Sequence, residues 1–257
     1  MQALVRGGAM ELEHILGRIS EGLIFVDKNS AIRNSSRNKK IIYLPGLTTI
    51  YEPQCAKELM DWWVEKYPAD FKSTKKVHVN FSYPQHRGNK CDIVFTSDEL
   101  NSEKPEWAIE LKKIAFLGDN GKNNDYGPSK LISPFLKDRS VAHDVVKLKE
   151  ADIARKKAVI GYGFNYSEAS LKLALEKHPG YSAIIRTATK IVKSGGTLDN
   201  KLELAPLLEI ADFIVSKLDY VKPLVTLPFT GAWRHPLGGD GVIFAWELKQ
   251  SHLIKRS

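Results

Sequence analysis

The segment WAIELKK, residues 107–113, places a glutamate and a lysine two positions apart inside a strand-like run. Side chains on a β-strand alternate between the two faces of a sheet, so Glu110 and Lys112 project from the same face with Cα atoms roughly 7 Å apart. Leu111 points to the opposite face. The preceding apolar segment, CDIVFT, carries Asp92 at its second position. Since a hairpin connection would bring Asp92 beside Glu110, the sequence predicts two carboxylates and one lysine in a single patch.

This patch has two interpretations. Neighbouring buried carboxylates are costly unless a cation compensates them, and magnesium suits the position because it takes carboxylate oxygens, several waters and substrate phosphate as ligands. The metal would polarise the phosphate and acidify a water molecule, while Lys112 orients that water or stabilises the developing negative charge. The alternative is a cross-strand salt bridge, worth about 0.2–1 kcal/mol when exposed. The apolar strand led by Asp92, and the apolar side chains on the opposite face, favour the metal site.

The segments around the patch alternate between strand and helix patterns. Strand patterns recur at 76–83, 91–96, 106–116, 157–164, 224–230 and 241–248. Helical spacing recurs at 10–20, 52–67, 138–157, 167–178 and 202–219. The first three strands predict an antiparallel meander, and the last two predict a C-terminal pair. The helix over 138–157 can be capped by Asp138, and one of its faces carries Val141, Val145, Leu148, Asp152 and Ile153.

Composition limits the class of protein. The 257 residues are 43% hydrophobic, which is enough for a sizeable core, and we expect one domain. The formal charge of +8 favours a polyanionic partner, with nucleic acid first. Cys55 and Cys91 lack metal-ligand spacing, so we expect buried thiols. Without a long apolar run or a signal peptide, the chain is expected to be cytoplasmic, with no membrane partner.

The order of helix, three strands, helix and strand, with Asp92 eighteen residues before Glu110-Leu111-Lys112, resembles the PD-(D/E)XK nuclease superfamily. The resemblance covers about 50–165. It implies an α/β fold with a restriction-endonuclease-like core, in which helices flank a central mixed β-sheet, here with extra C-terminal helices and a β-hairpin. We therefore expect a single nuclease domain over 1–257, comprising a basic N-terminal extension at 1–49, the core, and a C-terminal elaboration at 166–257.

The resemblance also implies roles for individual residues. Asp92, Glu110 and the carbonyl of Leu111 would bind Mg²⁺, for which Mn²⁺ can substitute, and Lys112 would assist the water. The catalytic set is thus Asp92, Glu110 and Lys112. Cys91 stands where the family has proline. Many members place a further glutamate on the helix before the strands, which here is Glu52 or Glu58, with Glu52 preferred.

Basic side chains outside the motif are candidates for contact with nucleic acid. In the family, the helix after the motif often faces DNA with polar and basic residues. The polar loop at 27–40 is either solvated or close enough to reach phosphates. The expected nucleic-acid-binding residues are Arg37, Lys39, Lys40, Lys113, Arg139, His143 and Lys147.

The first hypothesis is a magnesium-dependent endonuclease that hydrolyses DNA, with duplex favoured, of a restriction or defence type. Members that cut both strands often pair two sites, which would make the chain a homodimer. The alternative is a nucleic-acid-binding protein on the same fold without cleavage activity, and a third hypothesis is an α/β protein whose charges form a surface network. A second E-x-K, at Glu247 to Lys249 with Asp240 before it, is rejected because no helix-strand unit follows. The loop at 119–125 lacks the glycine and glutamate of a calcium loop.

Overall fold

The structure is a computed structural model, and it describes residues 10–34, 42–71, 74–84, 88–97, 104–115, 130–131, 133, 140–165, 203–232, 234–235 and 238–249. Several sequence predictions fall outside these ranges. They concern Arg37, Lys39, Lys40, Arg139, the helix over 167–178 and the loop at 119–125.

A mixed six-stranded β-sheet forms the centre of the fold. Its strands are β3 (Thr74–Ser82), β4 (Lys90–Ser97), β5 (Trp107–Ile114), β6 (Lys156–Phe164), β7 (Val225–Ala232) and β8 (Gly239–Glu247), while β1 (Arg33–Asn34) and β2 (Ile42–Tyr43) form a separate short ribbon. The order in the sheet is β3-β4-β5-β6-β8-β7. Only β5 and β6 pair in parallel among these neighbours, and the other pairs are antiparallel. The predicted α/β class and the antiparallel meander of β3, β4 and β5 are confirmed.

The described residues form four α-helices. They are α1 (Leu12–Asn29), α2 (Glu52–Lys66), α3 (Val141–Glu150) and α4 (Ala205–Val215). In α1, Ile15, Ile19, Leu23 and Val26 recur at three- and four-residue spacing and are all buried, which gives the helix one apolar stripe. In α2, a proline in the first turn suits a position where a backbone N–H has no helical partner. None of the helices in the described ranges is long and apolar enough to cross a membrane.

Apolar cores cover both faces of the sheet. On one face, α1 and α2 pack against the odd-numbered residues of β5, namely Trp107, Ile109 and Leu111. On the other face, α3 and α4 pack with Ala108 and Ile114. Strand β5 is therefore buried on both sides, which explains why its apolar pattern is almost continuous. The charged pair at its centre must find partners inside the protein.

Helix α3 is shorter than the sequence predicted. It begins at Val141 because Ser140 is the N-cap, whose Oγ accepts a hydrogen bond from the backbone N–H of His143 at 3.2 Å. Asp138 is therefore not the cap. The helix ends at Glu150, and the next five residues turn the chain into β6. Asp152 and Ile153 lie in that turn, beyond the end of the helix, so their assignment to its stripe was wrong; Asp152 is exposed and Ile153 is buried.

The C-terminal strands extend the core sheet. Strand β8 pairs with β6 from Ala158 opposite Glu247 to Phe164 opposite Gly241. A close approach fixes this pairing, since a Cβ atom on Gly161 would lie 2.0 Å from the ring of Phe244. The predicted pair is thus present, and it contributes two strands to the sheet that contains the motif.

Candidate active site

Strands β4 and β5 separate at the motif. Their registered pairs run from Phe95 opposite Trp107 to Ile93 opposite Ile109, one residue before Asp92 and Glu110. Strand β5 continues beside β6 as far as Ile114, and β4 continues beside β3 as far as Lys90. The two motif carboxylates therefore lie at a fork between neighbouring strands. At this fork, backbone groups of β5 form hydrogen bonds with side chains instead of with the backbone of β4.

The side chains of Asp92 and Cys91 form hydrogen bonds with the backbone of β5 at this fork. The Oδ2 atom of Asp92 accepts a hydrogen bond of 2.7 Å from the backbone N–H of Leu111. The thiol of Cys91 lies 3.4 Å from the carbonyl oxygen of Ile109 and donates to it. Cys91 and Cys55 are both free and buried, as predicted, and burial raises the pKa of Cys55 to about 11.

Glu110 is held by groups from two other elements. Its Oε1 atom accepts a hydrogen bond of 2.5 Å from the hydroxyl of Tyr83, at the end of β3. The same oxygen lies 2.8 Å from the ammonium of Lys147, on α3. Only 2% of Glu110 is exposed, so both contacts compensate a charge that has lost its water.

Lys112 also finds its partner on α3. Its Nζ atom lies 2.9 Å from Oδ2 of Asp144, a residue with 0% exposure. The other oxygen of Asp144 lies 3.1 Å from Nζ of Lys147. Lysines and carboxylates therefore alternate. We call the set of Asp92, Glu110, Lys112, Asp144 and Lys147 the carboxylate–lysine cluster.

The two motif carboxylates are electrostatically strained. Burial raises the pKa of Asp92 well above its ordinary value, and the adjacent Glu110 carboxylate raises it further, against the opposing effects of Lys112 and the Leu111 N–H. Burial also raises the pKa of Glu110, as does the negative charge of Asp144, although Lys147 and the Tyr83 hydroxyl oppose this. The site thus holds more negative charge than its lysines fully compensate.

The pKa values of the two lysines are also raised, but here the neighbouring carboxylates are the cause and burial opposes them. Burial by itself would lower the pKa of Lys112, but the surrounding carboxylates, Asp144 foremost, raise it above the ordinary lysine value. The same balance of burial against Glu110 and Asp144 raises the pKa of Lys147. Both side chains are therefore ammonium ions at neutral pH.

Glu52, the first residue of α2, lies on the approach to this cluster. Its Oε1 atom accepts a hydrogen bond of 2.9 Å from the backbone N–H of Lys113 and lies 3.0 Å from Nζ of Lys130. Burial by itself would raise the pKa of Glu52, but Lys130 and Lys112 lower it below the ordinary value. Glu58 points elsewhere, since it accepts a hydrogen bond from Gln54 and lines a groove with residues of α1. Of the two expected glutamates, Glu52 is therefore the one near the motif.

The predicted nucleic-acid contacts that are described occupy different environments. Lys147 belongs to the cluster and is only 12% exposed at its side chain. The ammonium of Lys113 donates to the carbonyl oxygens of Thr48 and Ile50 at 2.9 and 2.6 Å. His143 is half-buried in the first turn of α3. Lys113 and Lys147 are therefore engaged by groups of the protein itself.

Sequence reasoning missed Tyr83 and Asp144. A signal for Asp144 was present, because it follows Val141 by three residues and precedes Leu148 by four, which places it on the apolar stripe of α3. A carboxylate on such a stripe needs a buried cation. Tyr83 gives no comparable signal, since an aromatic residue at the end of a strand is ordinary.

The second E-x-K does not form a comparable site. Asp240 and Glu247 lie near opposite ends of β8, and Glu247 pairs with Lys222 at 2.7 Å. At about 3.3 Å per residue, the seven-residue separation along an extended strand prevents the two carboxylates from meeting.

The cluster matches magnesium in the type of donor atom. Asp92 and Glu110 supply carboxylate oxygens at the fork. A divalent cation there would offset the burial of both groups and the negative charges that raise their pKa values, which come from Glu110 at Asp92 and from Asp144 at Glu110. Within the described ranges, no group of three or more His, Cys, Asp or Glu side chains is arranged to hold a metal ion. Magnesium is commonly held by one or two carboxylates with waters and substrate phosphate, so two donors are compatible with it.

Comparisons of the chain with protein family models, with curated proteins and with solved structures found no significant match.

Proposed function

We propose that this protein is a magnesium-dependent endonuclease that hydrolyses DNA, with a restriction-endonuclease-like core of the PD-(D/E)XK type. The observation that supports this proposal best is the convergence of Asp92, Glu110 and Lys112 at the fork between β4 and β5. Residues 18 positions apart in the chain meet there, on a mixed sheet with helices on both faces. Restriction or defence against foreign DNA is the biological class that we favour.

The chain's own residues prepare the site before substrate arrives. The Leu111 N–H fixes one oxygen of Asp92, and the Tyr83 hydroxyl fixes one oxygen of Glu110. These two carboxylates, with the Leu111 carbonyl, would hold the magnesium ion, for which manganese can substitute. When bound, the metal would supply Lewis-acid polarisation of the phosphate and a more acidic water.

Lys112 acts through its charge in this proposal. Its raised pKa keeps the ammonium protonated at neutral pH, so it cannot take a proton from water. A fixed ammonium can orient the attacking water and stabilise the negative charge that develops on the phosphate. Asp144 holds that ammonium in place at 2.9 Å.

The formal charge of +8 supports a polyanionic substrate. Duplex DNA, a homodimer that cuts both strands, and a cytoplasmic location remain predictions. So do contacts from Arg37, Lys39, Lys40, Arg139, Lys113 and His143.

A second function is favoured by one observation. Glu110 and Asp144 already pair with lysines, and Asp92 already accepts a backbone N–H. The cluster could therefore be a structural network in a nucleic-acid-binding protein that does not cleave.

The test is an incubation of the protein with supercoiled plasmid, linear duplex and single-stranded DNA, in magnesium, in manganese and in excess chelator. We expect cleavage with either metal and none in chelator. Lys112→Met should lower the rate at least about 100-fold, or roughly 3 kcal/mol of transition-state stabilisation. Lys57→Met is the matched control, because Lys57 is an exposed lysine on α2 that pairs with Asp61.

Undiminished cleavage in chelator would exclude this mechanism. DNA binding at low salt without cleavage under any condition would favour the second function. If the protein neither binds nor cleaves DNA, neither function is supported, and the charges of the carboxylate–lysine cluster form a structural network only.

A further inference from the structure

An open cavity of about 440 Å³ lies where α3 ends and β6 begins, beside the end of β8. None of the residues of the carboxylate–lysine cluster lines it. It includes Lys249, the last residue of the E-x-K that the active site does not use. The cavity is therefore separate from the candidate active site and has its own set of side chains.

The wall of this cavity is rich in positive charge. The basic side chains that line it are Lys104, Lys149, Arg155, Lys157 and Lys249. Two acidic residues, Glu150 and Asp152, stand against these five. Asp152 pairs with Lys104 at 2.6 Å, and the opposite charges of this pair cancel. The remainder of the wall is strongly positive.

Lys157 has hydrogen-bonding capacity left for a ligand in this wall. The structure gives its Nζ atom a hydrogen bond of 2.5 Å to the carbonyl oxygen of Ala151, the C-cap of α3. Burial lowers the pKa of Lys157, and the positive charges of Lys149 and Lys104 lower it further, against the opposing effect of Asp152. An ammonium ion has three N–H donors, so the carbonyl satisfies only part of its capacity.

An aromatic ring adjoins the same wall. The Lys149 ammonium lies 4.8 Å from the ring centroid of Tyr220, which positions this long side chain against the ring. The Lys249 ammonium donates to the carbonyl oxygen of Asp219 at 2.6 Å. Two of the lysines are thus oriented by neighbouring groups, and less side-chain entropy remains to be lost when a ligand binds.

We infer that this cavity binds a phosphate-bearing anion. Four lysines and one arginine line one concave space, where excess positive charge concentrates anions. Phosphate oxygens accept the charge-assisted hydrogen bonds that lysine and arginine donate. The phosphate belongs either to a small ligand, such as free phosphate or pyrophosphate, or to the backbone of a nucleic acid. The inference does not depend on cleavage.

The test measures binding in excess chelator at constant ionic strength, with inorganic phosphate, pyrophosphate and a short DNA duplex as three separate probes. We expect saturable binding of at least one probe by calorimetry. Lys157→Met and Lys249→Met should each weaken it about tenfold or more. Lys249 is exposed, so its variant keeps the test valid if Lys157→Met folds poorly. Lys222→Met is the control, because Lys222 pairs with Glu247 and does not line the cavity.

The three probes distinguish the source of the phosphate. Loss of phosphate or pyrophosphate binding in both cavity variants supports a small-ligand site, and loss of duplex binding alone supports a backbone contact. The inference is overturned if no probe binds saturably, or if the cavity variants and Lys222→Met bind every probe as the wild type does. Because the proposed active site would hold phosphate through a metal ion that chelator removes, a negative result here does not test the proposed nuclease.

Discussion

Glu110 and Lys112 share one face of β5, yet neither is the other's main partner. Glu110 pairs with Lys147, and Lys112 pairs with Asp144, so the charges of one strand are matched by the charges of one helix. A buried ion pair is favourable only when its geometry compensates the lost hydration. The alternation of two lysines and two carboxylates provides that compensation and keeps both lysines charged.

Asp144 should matter greatly for stability. In Asp144→Asn, the buried ammonium groups of Lys112 and Lys147 would lose a shared counterion, and breaking a buried pair in this way costs roughly 3–5 kcal/mol. Asp152→Asn is the matched control, since Asp152 pairs with Lys104 on the surface and should cost about 0–1 kcal/mol. Urea unfolding of both variants measures the difference. Equal and small losses would show that Asp144 does not neutralise the buried lysines.

The raised pKa values of Asp92 and Glu110 predict a pH dependence without metal. Because the folded state binds these protons more tightly than the unfolded chain does, their contribution to stability is full below about pH 4 and is lost as pH rises through the raised values. In chelator, the free energy of unfolding should therefore carry a component that declines as pH rises above about 4. Asp92→Asn should reduce that decline. An identical pH profile for wild type and Asp92→Asn would contradict the strained carboxylate pair.

At the scale of elements, the sequence predicted where strands and helices form better than it predicted which strands pair. Strand β5 and helix α2 were found close to their observed bounds, because apolar periodicity marks a half-buried or buried element directly. The start of α3 was misplaced because two capping residues, Asp138 and Ser140, stand two positions apart. The pairing of β8 with β6 could not be predicted, since strands some 80 residues apart carry no local signal of register.

The residues of the candidate site also differ in whether the sequence could place them. Asp92, Glu110 and Lys112 could be brought together from strand alternation and one hairpin register. The apolar stripe of α3 indicates that Asp144 needs a buried cation, but not which one, and Tyr83 gives no signal. Both residues reach the site only through the packing of β3 and α3 around the fork.

The crossing of α1 and α2 predicts opposite effects for two glycines of one helix. A Cβ atom on Gly22 would lie 2.1 Å from Cδ1 of Leu59 and 2.8 Å from the ring of Trp62. Gly22→Ala should destabilise the protein by about 1–3 kcal/mol through overpacking, partly offset by up to about 1 kcal/mol of helix propensity. Gly17 has nothing within 4 Å of the corresponding position, so Gly17→Ala should stabilise by about 0.5–1 kcal/mol. Thermal unfolding measures both, and equal stabilisation would contradict the close helix crossing.

At the scale of the whole molecule, a chain with a formal charge of +8 concentrates carboxylates at one buried fork. Positive charge elsewhere can attract a polyanion, but in the proposed function a phosphate at the fork would meet Asp92 and Glu110. A divalent cation between them would convert this repulsion into attraction. The proposed nuclease therefore depends on one property above the others, which is that Glu110 helps to bind a metal ion.

The most direct measurement of that property is a set of melting curves in chelator and in millimolar magnesium for wild type, Glu110→Gln and Glu106→Gln. Glu106 is a buried glutamate just before β5 that accepts a hydrogen bond from the backbone N–H of Met10, and it lies outside the cluster. Magnesium at ten times its dissociation constant should stabilise the wild type by about 1.4 kcal/mol, and Glu106→Gln should respond alike. Glu110→Gln should gain little. If magnesium stabilises all three proteins equally, or stabilises none of them, Glu110 is not a metal ligand and the proposed active site is wrong.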